Sequence, residues 1–80
     1  MATYMFEIYF ATPTNPDKEA RIMVCVANFG GRLDYREEPD AQQAAICLTY
    51  EFDNLEQAQL AANELRQKGE HVEGPCLYSD

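Results

Sequence analysis

Apolar residues along this chain are spaced by two different periods, and the order in which the periods alternate is what most restricts the fold. From Tyr4 to Ala11 the period is two, with Tyr4, Phe6, Ile8 and Phe10 alternating with Met5, Glu7, Tyr9 and Ala11. Aromatic and β-branched residues in that pattern predict a strand with one well-buried face. Between Asp53 and Gly69 the spacing becomes three and four. Leu55, Ala58, Ala62 and Leu65 form one stripe, and Glu56, Gln57, Asn63, Glu64 and Gln67 lie opposite. That is an amphipathic helix. Asp53, with Glu56 three residues on, is its expected N-cap, and Lys68-Gly69 closes it with a cation followed by a C-terminal glycine.

The segment Asp17 to Phe29 carries both periods. Ile22, Val24 and Val26 alternate as a strand would, whereas Ile22, Val26 and Phe29, supported by Cys25 and Met23, make a helical stripe. Its ends decide for a helix. Asn15 is the expected N-cap, Pro16 follows at the first helical position where its missing N–H is harmless, and Gly30-Gly31 supplies a terminus with positive φ. Period two returns in a short, charged strand from Arg32 to Glu37, with Leu33 and Tyr35 expected inward, and Glu38-Pro39-Asp40-Ala41 breaks it. From Gln43 a long apolar strand follows, with Ala44, Ile46, Leu48, Tyr50 and Phe52 set against Ala45, Cys47, Thr49 and Glu51. The tail from Glu70 to Tyr78 resumes strand character, interrupted by Gly74-Pro75, so Pro75 belongs on an edge or at a bulge. Such a bulge leaves the faces of Cys76, Leu77 and Tyr78 open.

Strand, helix, strand, strand, helix, strand, joined by right-handed crossovers, predicts an α+β, ferredoxin-like βαββαβ sandwich. Its four-stranded antiparallel sheet has order 4-1-3-2, with both helices on one face. The two most apolar strands then lie in the middle, and the charged and proline-bearing strands at the edges, as a foldable sequence requires. The pattern resembles many βαββαβ modules, among them RNA-recognition, metal-chaperone and ligand-sensing ACT domains. Eighty residues suit one such domain, spanning 1–80. Expected inward are Tyr4, Phe6, Ile8, Phe10, Leu33, Tyr35, Ile46, Leu48, Tyr50 and Val72. Met5, Glu7, Tyr9, Arg32, Asp34, Arg36, Cys47, Thr49, Glu51, His71 and Glu73 are expected on the open face.

The open face is where function is sought, and the chemistry there is sparse. Fourteen acidic side chains against six Lys and Arg give a net charge of −8, which repels phosphate backbones and anionic membranes. RNA recognition on this architecture needs aromatics on both central strands, but the third strand offers Cys47 and Thr49. The loop after the first strand lacks the paired cysteines of a metal chaperone, and a lone His71 with remote carboxylates specifies no metal site. Gly30-Gly31 follows a helix and precedes a strand, the reverse of a phosphate-cradling loop. No cofactor is therefore expected.

Cys25, Cys47 and Cys76 are widely spaced in apolar surroundings and read as buried free thiols in a reducing, cytoplasmic setting. No run approaches the roughly 20 apolar residues a spanning helix needs, and the N-terminus lacks a signal peptide's basic start. The expectation is a protein-interaction or regulatory small-ligand-binding module. Glu7, Tyr9, Cys47, Thr49, Glu51 and His71 are its ligand or interface candidates, and a homodimer would form through the open face or an edge strand. A small enzyme with an acidic pocket at a dimer interface is the alternative, with a carboxylate pair of Glu7 and Glu51 helped by His71 and Tyr9.

Overall fold

A computed structural model describes residues 1–11, 13–42 and 44–80. Thr12, in the expected break after the first strand, and Gln43, the expected start of the third, lie outside them. The chain runs β1 (Thr3–Ala11), α1 (Pro16–Asn28), β2 (Arg32–Glu37), β3 (Ala45–Phe52), α2 (Leu55–Gln67) and β4 (His71–Ser79). The strands form one antiparallel sheet in the order β2-β3-β1-β4, the ferredoxin-like topology read in the opposite direction from 4-1-3-2.

The helix ends follow from local chemistry. The Asn15 side chain accepts the Lys18 N–H at 3.0 Å, with Pro16 at the first turn. That end settles α1 against the strand reading, and the β-branched Val24 is left exposed. Both helices stop in the same way. Gly30 and Gly69 take positive φ (80° and 93°), and the residue after each glycine donates back, Gly31 N–H to Val26 O and Glu70 N–H to Leu65 O. These paired bonds are a Schellman ending, for which glycine is the fitting residue. The cap of α2 differs from expectation. Asn54, not Asp53, accepts the Gln57 N–H at 3.0 Å, which frees Asp53 to meet Arg32. Leu55, expected in the buried stripe, is exposed, and Ala61 joins Ala58, Ala62 and Leu65 instead.

The core lies between the sheet and both helices. Phe6, Ile8, Ile46, Leu48, Tyr50, Phe52 and Val72 meet Ile22, Cys25, Val26 and the α2 stripe, with Tyr4, Phe10, Met23 and Phe29 packed at its margin. On the buried face of α2 the middle positions are Ala58, Ala61 and Ala62, which let that helix approach the sheet closely, while Leu60 points outward.

The edge strands depart from simple alternation. In β2, Leu33 lies across from Tyr50 and Tyr35 from Thr49, so Asp34 is an inserted residue. The insertion reverses the face of everything after it. Tyr35, expected inward, therefore lies on the open face. Arg36, expected on the open face, lies on the helix side, where Nε and Nη2 donate to Glu19 at 2.8 and 3.0 Å. In β4, Gly74 and Pro75 (joined by a cis peptide bond) form the expected irregularity opposite Phe6. Cys76 then lies across from Met5, Leu77 from Tyr4, and Tyr78 is a second inserted residue. Cys76 is exposed, contrary to the expectation that all three thiols are buried. Among the described residues no helix is long and apolar enough to cross a membrane.

Candidate functional site

The register of four strands sets out the open face as a grid. One row reads Cys76, Met5, Glu51, Arg32 from β4 to β2; the next reads Glu73, Glu7, Thr49, Tyr35; the third reads His71, Tyr9, Cys47, Glu37. All six candidates, Glu7, Tyr9, Cys47, Thr49, Glu51 and His71, fall on this face. Its central residues are covered by their neighbours: Cys47 and Thr49 are only 4% and 5% exposed although no helix packs on this side.

Hydrogen bonds tie the grid together. The Glu7 carboxylate accepts from Tyr9 Oη at 3.0 Å and from Cys47 Sγ at 3.5 Å. Burial, with the Cys47 and Glu7 side chains beside it, pushes the Tyr9 phenol well above its ordinary range. Burial likewise raises the Cys47 thiol, and the neighbouring Glu7 charge adds to it. His71 stands edge-on to the Tyr9 ring, and its Nε2 lies 3.0 Å from Glu73. Arg32 Nη2 meets Glu51 at 3.1 Å and Asp53 at 3.0 Å. From the far edge, Tyr78 Oη reaches across to donate to Asp34. That hydrogen bond, then burial and the charges of Asp34, Glu51 and Glu7, raises the Tyr78 phenol above its ordinary value.

The charge on this surface is one-sided. Glu7 and Glu73 face each other directly across β1 and β4, a like-charge pair that weakens a sheet. Glu7 has no cationic partner among the described residues, since its bonds come from a phenol and a thiol. Glu51, Glu37 and Asp34 add three more carboxylates, and among the described residues Arg32 is the one arginine on the face.

The residues expected to form a catalytic pair each have other partners. Glu51 is held by Arg32, His71 by Glu73, and Glu7 by Tyr9 and Cys47. Two grooves of about 440 and 240 Å³ lie elsewhere, the first lined by α1 and the helix side of β2, the second by Lys18, Arg21, Ile22, Leu65, Lys68 and Glu70. None of the six candidates lines either. Cys25, on the buried side of α1, donates to Glu64 of α2 at 3.0 Å, and burial pushes its thiol up to about 11. Both buried thiols are thus kept protonated rather than readied as nucleophiles. Among the described residues, no group of three or more His, Cys, Asp or Glu side chains is placed to hold a metal ion.

Tyr35, Glu37 and Tyr78 belong to this surface but are absent from the sequence-derived candidates. Each owes its place to an inserted residue, and the one signal available was the Gly74-Pro75 interruption before Tyr78. The sequence matches no protein-family model and is similar to no curated protein at a significant level.

Proposed function

We propose that this protein is an interaction module whose acidic sheet face holds a lysine- or arginine-rich segment of another protein. The observation that carries the reading is the opposed pair Glu7 and Glu73. Two carboxylates face one another, with no cationic partner for Glu7 among the described residues, and an incoming ammonium or guanidinium would relieve their repulsion. Glu51, Glu37 and Asp34 extend the negative surface towards β2, so an extended segment crossing the strands meets a carboxylate at successive positions. Tyr9, Tyr35 and Tyr78 border the same face, and cations bind favourably over such rings. The net charge of −8 steers a basic partner in from a distance and rejects nucleic acid and anionic membranes.

The test is a titration of the labelled protein with a short Lys/Arg-rich peptide, its acidic counterpart and a neutral one, followed by NMR. The basic peptide should move the amides of β1 and β3, and the effect should weaken with added salt. Glu7→Gln with Glu73→Gln should reduce affinity at least about tenfold. Equal response to all three peptides, or shifts confined to the helices, would overturn the proposal.

A further inference from the structure

We infer that two copies of the chain join edge to edge through β2, in one register that the inserted Asp34 creates; this goes beyond the acidic-face reading and does not depend on it. The strand lies at the edge of the sheet, so among the described residues no strand pairs with its outer side. Its side chains point in a definite order. Arg32 is on the open face across from Glu51, Leu33 on the helix side across from Tyr50, Tyr35 on the open face across from Thr49, Arg36 on the helix side across from Leu48, and Glu37 on the open face across from Cys47. Asp34 is on the open face, because it accepts from Tyr78 above that surface. The order open, helix, open, open, helix, open reads the same in both directions.

A strand without the insertion alternates strictly and lacks that symmetry over six residues. With it, a two-fold axis between Asp34 and Tyr35 pairs Arg32 with Glu37 of the second copy, Leu33 with Arg36, and Asp34 with Tyr35. Every cross-strand pair then shares a face, as antiparallel neighbours must. Sliding the pairing by one residue in either direction sets open-face residues against helix-side ones at Leu33 and Arg36. The axis thus selects a single register.

The charges agree with it. Each end of the junction sets an arginine against a glutamate on the open face, twice by symmetry. The Glu37 side chain makes no hydrogen bond or ion pair among the described residues. Arg32 uses only Nη2 within its own protomer, which leaves Nη1 and Nε to donate. On the helix side, Leu33 is 44% exposed and forms one wall of the groove shared with Ala20, Met23 and Tyr50. In the paired register the aliphatic stem of the second copy's Arg36 lies against Leu33, and the two grooves run together across the axis. The result is one eight-stranded sheet, with both acidic faces on the same side.

Sedimentation velocity at two concentrations, with circular dichroism to confirm folding, tests this. The wild type should dimerise as concentration rises. Glu37→Lys, a change at a side chain with no bond in its own protomer, should raise the dissociation constant roughly tenfold or more, because it opposes like charges at both ends. Arg32→Glu should do the same. An equimolar mixture of the two variants should associate again, since each then presents the charge the other lacks. A wild type that stays monomeric at both concentrations overturns the inference. So does a dimer that Glu37→Lys leaves unchanged, or two variants that remain monomeric when mixed although folded.

Discussion

Gly31→Ala is the substitution whose effect the structure defines most sharply. Gly30 and Gly31 are adjacent, but they are glycines for different reasons. Gly30 has φ of 80° and nothing within 4 Å of where a Cβ would stand, so its requirement is conformational. Gly31 has ordinary backbone angles, but a Cβ there would lie 2.4 and 2.5 Å from Phe52 ring atoms and 2.7 Å from a Val26 methyl. Ordinary contact begins near 3.4 Å, so the ring must retreat by 3.4 − 2.4 = 1.0 Å. Phe52 and Val26 are completely buried and the ring lies tilted against Phe6, centroids 5.2 Å apart, so the surrounding core resists its retreat. Overpacking of this kind costs about 1–3 kcal/mol, and the absence of a flexible neighbour places it near the top of that range. Gly30→Ala, an alanine in the left-handed region, should cost about 1–2 kcal/mol. Urea unfolding should therefore give about 2–3 kcal/mol for Gly31→Ala with an unchanged slope, or Tm lower by at least roughly 8 °C. Phe52→Leu in the Gly31→Ala background should recover part of the loss, so the two changes are not additive. A Gly31→Ala protein as stable as wild type, or strict additivity with Phe52→Leu, would refute the steric argument.

Three further outcomes follow from the same structure. A thiol reagent at neutral pH should modify Cys76 at once and reach Cys25 and Cys47 only as the protein unfolds, read as one fast and two denaturant-dependent equivalents. In alkali, Tyr9, Tyr50 and Tyr78 have folded-state pKa values above the unfolded value of about 10. The stability they contribute is complete below that pH and is lost as pH rises through their folded values, so phenolate absorbance and unfolding should climb together above about pH 10. Deleting Asp34 should leave Leu33, Tyr35, Arg36 and Glu37 on their present faces, because it restores plain alternation; retained near-UV dichroism, with Tyr78 titrating earlier than in the wild type, is the expected signature.

The parts of this fold that show in the sequence are those whose burial is complete on one side. β1 and β3 sit between other strands, and all their inward residues must be apolar, so period two is clear from Phe6 to Ile8 and from Ile46 to Phe52. α2 declares itself through Ala58, Ala62 and Leu65, although two asparagine- or aspartate-type residues stood ready to cap it and only geometry chose Asn54 over Asp53. Edge strands lack that constraint. Leu33, Tyr35 and Leu77 remain largely exposed, so no burial penalty writes their face into the choice of residue, and an extra residue is accommodated without a telltale pattern. The candidate site was legible along β1 and β3, and at His71 in β4, for the same reason. It was not legible at Tyr35, Glu37 and Tyr78, which arrive through insertions.

The insertion at Asp34 connects features that otherwise look separate. Turning Arg36 to the helix side lets it grip Glu19, and this ion pair, which holds the Glu19 carboxyl below its ordinary range, fastens α1 to the outermost strand. Turning Tyr35 outward places an aromatic ring beside Thr49, helping to cover a polar side chain that no helix shields. The Asp34 carboxylate, left over the open face, catches Tyr78 from the opposite edge and so spans all four strands with one contact. An inserted residue usually protects an edge by spoiling its alternation. Here it does the reverse for one partner only. A foreign strand with plain alternation meets mismatched faces beyond Leu33, whereas a second copy carries the same interruption at the symmetry-related place. In the proposed dimer, an edge closed to general pairing and open to its own kind would let a small acidic domain associate with itself without inviting aggregation.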